Sequence, residues 1–190
     1  MELAKARILH ISKYYYPFLG GTEQVARDTV RALLGTGAEQ KVICFNEDAG
    51  SGDCATRHDE TVTDRVDGVE VVRCGYQVKA ASQSVSMGYG RELRRLMDEF
   101  QPNVIILHYP NPYVTHFLMK YRDRDFKLLV YWHLDIVKQK VLKLFFAGQN
   151  RSLVRRTDRL IATSQNYVDV SPWLSRAKEK CTVIPNCINT

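Results

Sequence analysis

The sequence predicts an α/β fold, doubly wound around a mostly parallel sheet of about seven strands, like a Rossmann fold. Three observations lead there. Short apolar runs alternate with stretches of helical periodicity along the whole chain. The runs are continuously apolar, as in Val104-Ile-Ile-Leu-His108, which is how strands covered on both faces read. Gly, Pro, Asn and Asp gather in the connections. With 190 residues the chain fills one large domain and falls short of two.

Ala6 to Ile11 reads as the first strand. A long loop follows, Lys13-Tyr-Tyr-Tyr-Pro-Phe-Leu19, then Gly20-Gly21-Thr22-Glu23 and a helix to about Leu34. Thr22 is placed to cap that helix, and Ala26, Val30, Leu33 and Leu34 recur on one face. Gly35 and Gly37 end it. Lys41 to Phe45 is the second strand and Val69 to Cys74 the third. Between them, Asn46 to Asp67 is polar and reads as the longest irregular stretch; Gly75 to Ser86 reads as a further loop. Met87 to Phe100 carries Leu93, Leu96, Met97 and Phe100 at helical spacing, with Arg91, Arg94 and Arg95 opposite, and Pro102 closes it.

Val104 to His108 is the fourth strand, and Asn111-Pro112 opens a helix to about Arg122. Leu128 to His133 is the fifth strand; Lys138 to about Arg155 is helical, with Val141, Leu144, Phe145 and Leu153 inward. Leu160 to Thr163 is the sixth strand, Gln165 to Ala177 a helix, and Thr182 to Ile184 the seventh strand.

Composition bounds the function. The chain is 45% hydrophobic and 25% charged, with a net charge of +6. That excess favours an anionic ligand or surface without naming one. No run of about 18 apolar residues is present, and the N-terminus lacks the apolar core of a signal peptide. Five cysteines, Cys44, Cys54, Cys74, Cys181 and Cys187, form no C-x-x-C pair and read as reduced thiols of a cytoplasmic protein.

In an open α/β sheet, ligands bind beyond the carboxyl ends of the strands. The polar residues of interest fall in those loops. Gly20 and Gly21 let backbone approach a phosphate or sugar beside a helix start, or simply make a tight turn. His108-Tyr-Pro-Asn-Pro-Tyr113 follows the fourth strand and Trp132-His133-Leu134-Asp135 the fifth. Thr157-Asp158-Arg159 enters a strand that ends in Thr163-Ser164, and Val183-Ile-Pro-Asn-Cys-Ile188 comes last.

Together with Tyr16-Pro-Phe-Leu-Gly-Gly-Thr-Glu23, this order resembles the N-terminal domain of the retaining, nucleotide-sugar-dependent glycosyltransferases of family 4, which have the GT-B fold. The resemblance covers essentially the whole chain. Cys187 stands where the family usually has Gly, and Asn189 where it often has Asp. The resemblance implies that residues 1–185 are the acceptor-side Rossmann-like half and that 186–190 begin a linker to a C-terminal half that binds most of the donor. It implies that this half is inactive alone.

The roles implied are as follows. Gly20 and Gly21 lie against the donor phosphates and sugar. His133 and Asp135 are the catalytic candidates: His133 touches the donor sugar or is a strand-end histidine satisfied by backbone, and Asp135 orients His133, holds an acceptor hydroxyl or caps the next segment. Glu23, Tyr16, His108, Tyr109 and Asn111 are acceptor-side candidates; for each, a plain packing or turn role competes. Tyr14 and Tyr15 stack on sugar or pack the loop. Ser164 and Pro185 are architectural, and Asn186 is architectural or reaches the cleft. The cosubstrate is a nucleoside-diphosphate sugar, and no metal or other cofactor is expected. The other partners are a glycan or lipid-linked acceptor and the second half of the protein, without nucleic acid.

Two further features are read from the residues. Lys138, Lys140 and Lys143 beside Leu142 and Phe146, with Arg151, Arg155 and Arg156, form a basic face for anionic lipid or a solvated helix face. A cytoplasmic protein, peripheral at a membrane, follows from the first reading. Asn150-Arg-Ser152 matches a glycosylation acceptor that a cytoplasmic chain would not use. A stand-alone Rossmann-like sugar- or nucleotide-binding module without catalysis is the competing function. A nicotinamide-dependent oxidoreductase fits poorly, because the first turn lacks G-x-G-x-x-G.

Overall fold

A computed structural model describes residues 2–47, 57–80, 83–135 and 140–185. It divides into two compact units, residues 1–105 and 106–190.

In the first unit, β1 (Arg7–Ile11) leads into α1 (Gly21–Ala32), then β2 (Glu39–Phe45), β3 (Val62–Val66) and β4 (Val69–Cys74). β1 and β2 are parallel, as are β2 and β4, while β3 runs antiparallel along β4. A short hairpin, β5 (Val78–Ala80) and β6 (Gln83–Val85), precedes α2 (Tyr89–Arg95), and β7 (Val104–Tyr109) begins as the unit ends. Ala26, Val30, Val42, Cys44 and Val71 form a core with Tyr15.

In the second unit, β7 is followed by α3 (Pro112–Leu118), β8 (Lys127–Trp132), α4 (Lys140–Arg156), β9 (Arg159–Ala162), α5 (Gln165–Val170) and β10 (Cys181–Val183). β8, β9 and β10 are parallel neighbours in that order. Asp158 fixes the entry to β9: its carboxylate accepts from the Leu128 N–H at 2.9 Å and from Lys127 and Arg156 at 3.3 Å. The Asp158-Arg159 signature is therefore a strand-register device. Burial alone would raise this carboxyl; those donors outweigh it and hold it below its ordinary range.

All seven expected strands are present, and β3 makes an eighth in the main sheet. β3 lies inside the stretch expected to be irregular. Its turn to β4 is Asp67-Gly68, both with positive φ, 51° and 82°, which is the tight-hairpin geometry an Asp-Gly pair favours. The expected loop over Gly75–Ser86 contains the β5–β6 hairpin.

Three helices differ in detail. The N-cap of α1 is Gly20, not Thr22, and no side chain caps it. Leu34 is 44% exposed instead of facing the core. The helix expected through Ala177 stops at Val170, because Ser171-Pro172 cannot continue it, and resumes as single turns. After α2 the backbone widens into a π-turn over Leu96–Phe100, and Gln101, at φ 49°, closes it before Pro102. Leu93, Leu96, Met97 and Phe100 are buried as their spacing predicts, and so is Leu153 on α4. The inward positions Val141, Leu144 and Phe145 lie outside the residues whose side chains are described.

Candidate functional site

In the first unit, the loop after β1 is held from several sides. Tyr14 is buried, with its hydroxyl 3.1 Å from Ser84 Oγ on β6, and Tyr15 sits in the core. Both therefore pack the loop. Tyr16 is 37% exposed, but the Arg27 guanidinium lies 3.7 Å over its ring. Its carbonyl accepts from Arg73 Nη2 at 2.6 Å, and Arg73 Nε donates to Asp64 at 3.1 Å.

The double glycine divides its work. Gly20 is extended, at φ −153°, so its conformation suits any residue. Its missing Cβ leaves the place taken by the Glu23 carboxylate. Gly21 has nothing within 4 Å of where a Cβ would sit. Glu23 is 8% exposed. Burial raises its carboxyl, opposed by its own backbone N–H and by Lys13. Lys13 is lowered by burial, with Glu23 opposing. Beside them Lys79 donates to Glu47 at 2.9 Å. The loop is a charged, half-buried surface with one open glycine backbone.

In the second unit, two aromatic stacks form on opposite faces at the ends of β7 and β8. Alternation along a strand sends neighbouring side chains to opposite faces. On one face His108, Tyr131 and His133 stack with nearly parallel rings. Tyr131 and His133 are 4.7 Å apart at 7°, and His108 and His133 are 5.4 Å apart at 14°. His108 Nδ1 is 3.2 Å from His133 Nε2. The His133 N–H donates to the Tyr109 carbonyl at 3.1 Å, which ties the two strand ends together. Burial pushes the His133 imidazole down to about 4, so it is neutral near pH 7.

On the other face Tyr109 stacks on Trp132 at 3.9 Å. Tyr109 is fully buried and donates to Asn150 Oδ1 at 3.1 Å. Trp132 Nε1 donates to Asp135 Oδ1 at 3.1 Å. Asp135 is thus engaged with the indole, while His133 is engaged with His108. Tyr167 faces Asp135 as well, and its hydroxyl is pushed up, first by burial and then by that carboxylate. Asn111, the N-cap of α3, is 0% exposed, and neither end of its amide has a hydrogen-bond partner among the described residues.

The expected site residues are placed accordingly. His108, Asn111, His133 and Asp135 gather at the ends of β7 and β8, and Gly20, Gly21, Glu23 and Tyr16 belong to the loop of the first unit. Tyr109 offers a buried ring and hydroxyl to the core. Ser164 caps α5, accepting from the Tyr167 N–H at 3.2 Å. Asn186, Cys187 and Asn189 lie outside the described residues, as do Lys138 and the side chains of Lys140, Leu142 and Lys143. Arg156, counted in the basic face, instead donates to the carbonyls of Arg122 and Phe126 at 2.6 and 2.9 Å. Asn150 is buried against Tyr109, which removes it as a modification site. Among the described residues no helix is long and apolar enough to cross a membrane.

The sequence reading missed Tyr131, the third ring of the histidine stack, and the pairings of Trp132 with Asp135 and Tyr109 with Asn150. Tyr131-Trp-His133 carried the signal: three consecutive rings at a strand end must split between two faces.

Comparison with known proteins agrees with this architecture. The family model for Glycosyltransferase Family 4 matches residues 19–190. O-antigen chain mannosyltransferase C of Escherichia coli is 30% identical over 181 residues, covering 94% of this chain and 45% of that protein. D-rhamnosyltransferase WbpZ of Pseudomonas aeruginosa is 28% identical over 181 residues, covering 94% of this chain and 44% of that protein. The chain spans less than half the length of either relative. The catalytic domain of Starch Synthase IV from Arabidopsis thaliana, bound to ADP and acarbose, superposes with a TM-score of 0.63 at 14% identity, covering 95% of this chain and 51% of that one.

Proposed function

This chain belongs to glycosyltransferase family 4, and from that premise we propose that it is the acceptor-side, Rossmann-like half of a retaining GT-B hexosyltransferase. The full protein would move a sugar from a nucleoside diphosphate to an acceptor hydroxyl in polysaccharide synthesis. The mannosyl- and rhamnosyltransferase relatives support a hexose or deoxyhexose as the transferred group. In this reading the bond from the anomeric carbon to the diphosphate breaks. A bond to the acceptor oxygen forms on the same face, and the acceptor proton leaves with the departing phosphate.

The observation that carries the reading is the His108–His133 pair. A neutral imidazole has one donor and one acceptor nitrogen. With Nε2 turned to His108, the Nδ1 of His133 is the nitrogen left for a sugar hydroxyl, which can donate or accept. His133 therefore orients the sugar, and His108 is a positioning residue behind it. Asn111 supports an acceptor role, since a buried amide without partners costs about 1–3 kcal/mol until something pairs it. Gly21 is the glycine we assign to close approach by the donor phosphates; Gly20 serves Glu23. Asp135 acts through Trp132, setting the backbone just before His133. We assign neutralisation of the leaving diphosphate to protein donors without a bound metal ion, in a cytoplasmic protein.

The test is sugar transfer and donor hydrolysis by the full-length protein against a panel of nucleotide sugars, with His133→Ala as the control. Transfer that falls away in the variant supports the reading. Equal transfer by the variant removes the role of His133, and a full-length protein that binds but never turns over any donor favours a non-catalytic sugar-binding module.

A further inference from the structure

A second cluster of charge lies away from the histidine pair. Arg151 and Arg155 on α4, Arg176 in the turn after α5, and Lys180 line a pocket of about 330 Å³. Trp173 supplies an apolar wall, and Glu179 is a carboxylate in the lining. None of the three guanidinium groups has a hydrogen bond or ion pair among the described residues. Other arginines of the second unit are committed: Arg156 to Asp158 and three carbonyls, Arg159 to the Glu179 carbonyl, Arg122 to Asp123. Three unpaired forks around one cavity repel one another, and an anion relieves that repulsion.

The pocket lies at the C-terminal end of α4, where the helix dipole disfavours an anion. Lys180 removes that objection. Its ammonium donates to the carbonyls of Val154, Arg155 and Thr157 at 3.2, 2.9 and 2.8 Å. The helix end is capped by a cation, and the guanidinium forks remain for a ligand. Guanidinium matches phosphate bidentately, which favours phosphate over a simple halide. A bare ion needs no apolar wall; an organic phosphate uses one, and the Trp173 ring is half-exposed beside the arginines.

We propose that this pocket binds an organic phosphate, with its phosphate on Arg151, Arg155 and Arg176 and its organic body against Trp173. The site is separate from the histidine pair. The pocket residues precede the starts of β9 and β10, whereas His133 follows the end of β8, which runs parallel to β9. Strands of this length put the two edges about 13–20 Å apart. The inference does not depend on the transfer reaction.

The experiment has two arms, because the phosphate can belong to a soluble ester or to a lipid headgroup. In one, the chain is titrated with glycerol 3-phosphate and with inorganic phosphate by calorimetry. In the other, it is sedimented with vesicles of phosphatidylglycerol mixed with phosphatidylcholine, and with phosphatidylcholine alone. The variants are the triple Arg151→Gln/Arg155→Gln/Arg176→Gln, whose three positions are exposed, and Trp173→Ala. The triple variant is expected to bind glycerol 3-phosphate at least about tenfold more weakly. Trp173→Ala is expected to weaken glycerol 3-phosphate and leave inorganic phosphate unchanged. Cosedimentation with phosphatidylglycerol vesicles that the triple variant loses assigns the phosphate to lipid; binding of the soluble ester alone assigns it to a metabolite. The proposal is overturned if wild type binds neither probe, if the triple variant binds as wild type does, or if Trp173→Ala leaves the ester affinity unchanged.

Discussion

His108 Nδ1 sits 3.2 Å from His133 Nε2 with the rings 14° from parallel. The hydrogen bond and the stack together leave His133 little freedom to rotate. His108 is 0% exposed, and in the proposed function it supports His133 from behind. Burial at this strand end keeps His133 uncharged near neutral pH.

The first prediction concerns that pair in the full-length protein, under the proposed transfer reaction. His133→Ala is expected to lower kcat by about 100-fold or more, as for loss of a positioned polar group at the reacting sugar. His108→Ala, which removes only the support, is expected to lower it by roughly tenfold with the donor KM little changed. His108→Asn, which keeps a hydrogen-bonding atom near His133, recovers part of the loss. A merely structural His108 would lower thermal stability in both variants and leave the kcat of the folded fraction unchanged.

The second prediction separates the two glycines. Gly20→Ala drives a methyl group into the Glu23 carboxylate, whose burial restricts its escape. A loss of about 1–3 kcal/mol is expected in urea denaturation. Adding Glu23→Ala clears the space, so the double variant is expected to be no less stable than Gly20→Ala alone. Gly21→Ala meets nothing within 4 Å and sits in the first helical turn, so stability is expected to hold or rise by up to about 1 kcal/mol. If Gly21 lies against donor phosphates, that same variant raises the donor KM in the full-length protein while folding normally.

The third prediction uses an asymmetric ion pair. The Arg73 side chain is 6% exposed and that of Asp64 is 48% exposed. Asp64→Ala therefore leaves a buried guanidinium without its carboxylate, though still donating to the Tyr16 carbonyl, and is expected to cost about 1–3 kcal/mol. The pair Arg57 and Asp59 is a control, with side chains 76% and 38% exposed. Its removal is expected to leave the urea midpoint nearly unchanged. Equal effects at the two pairs, measured by urea midpoints, would show that burial of Arg73 does not set the cost.

These positions also show what could be read from residues alone. The parallel strands were legible as short, mainly apolar runs, most of them buried; β10, at the sheet edge with Thr182 exposed, carries the weakest such run. β3 was not, because Val62-Thr-Asp-Arg-Val66 alternates at an edge and its signal lay in the Asp67-Gly68 turn. The break in the last helix was written in Ser171-Pro172. The glycines, His133 and Asp135 stood out by position after strands. Their partners did not, since a pair such as His108 and His133 is set by which face each strand turns, and Tyr109 looked like a loop residue until its hydroxyl met Asn150. The place of Glu23 against Gly20 depends on a side-chain rotamer, which no spacing rule reaches.

The fourth prediction concerns acid. His10 is 0% exposed, with Nε2 2.9 Å from Gln40 Oε1. Burial pushes its imidazole down to about 4, against a smaller opposing effect of Gln40. An unfolded histidine titrates near 6.5. Between those values the unfolded chain binds a proton that the folded chain refuses, so folding stability rises with pH across the window. The stability is fully present above about 6.5 and is lost as pH falls towards 4, by an amount on the order of 3 kcal/mol for His10 alone. His133 acts with the same sign. Glu23 acts with the opposite sign, since its raised carboxyl gains on protonation in the fold. Urea denaturation at a series of pH values is therefore expected to show midpoints falling from neutral to mildly acidic conditions. In His10→Asn, which cannot titrate but can donate to Gln40, the slope is expected to flatten by the share of one proton. An unchanged slope would mean that His10 takes its proton without leaving the fold, and that burial between β1 and β2 does not control its charge.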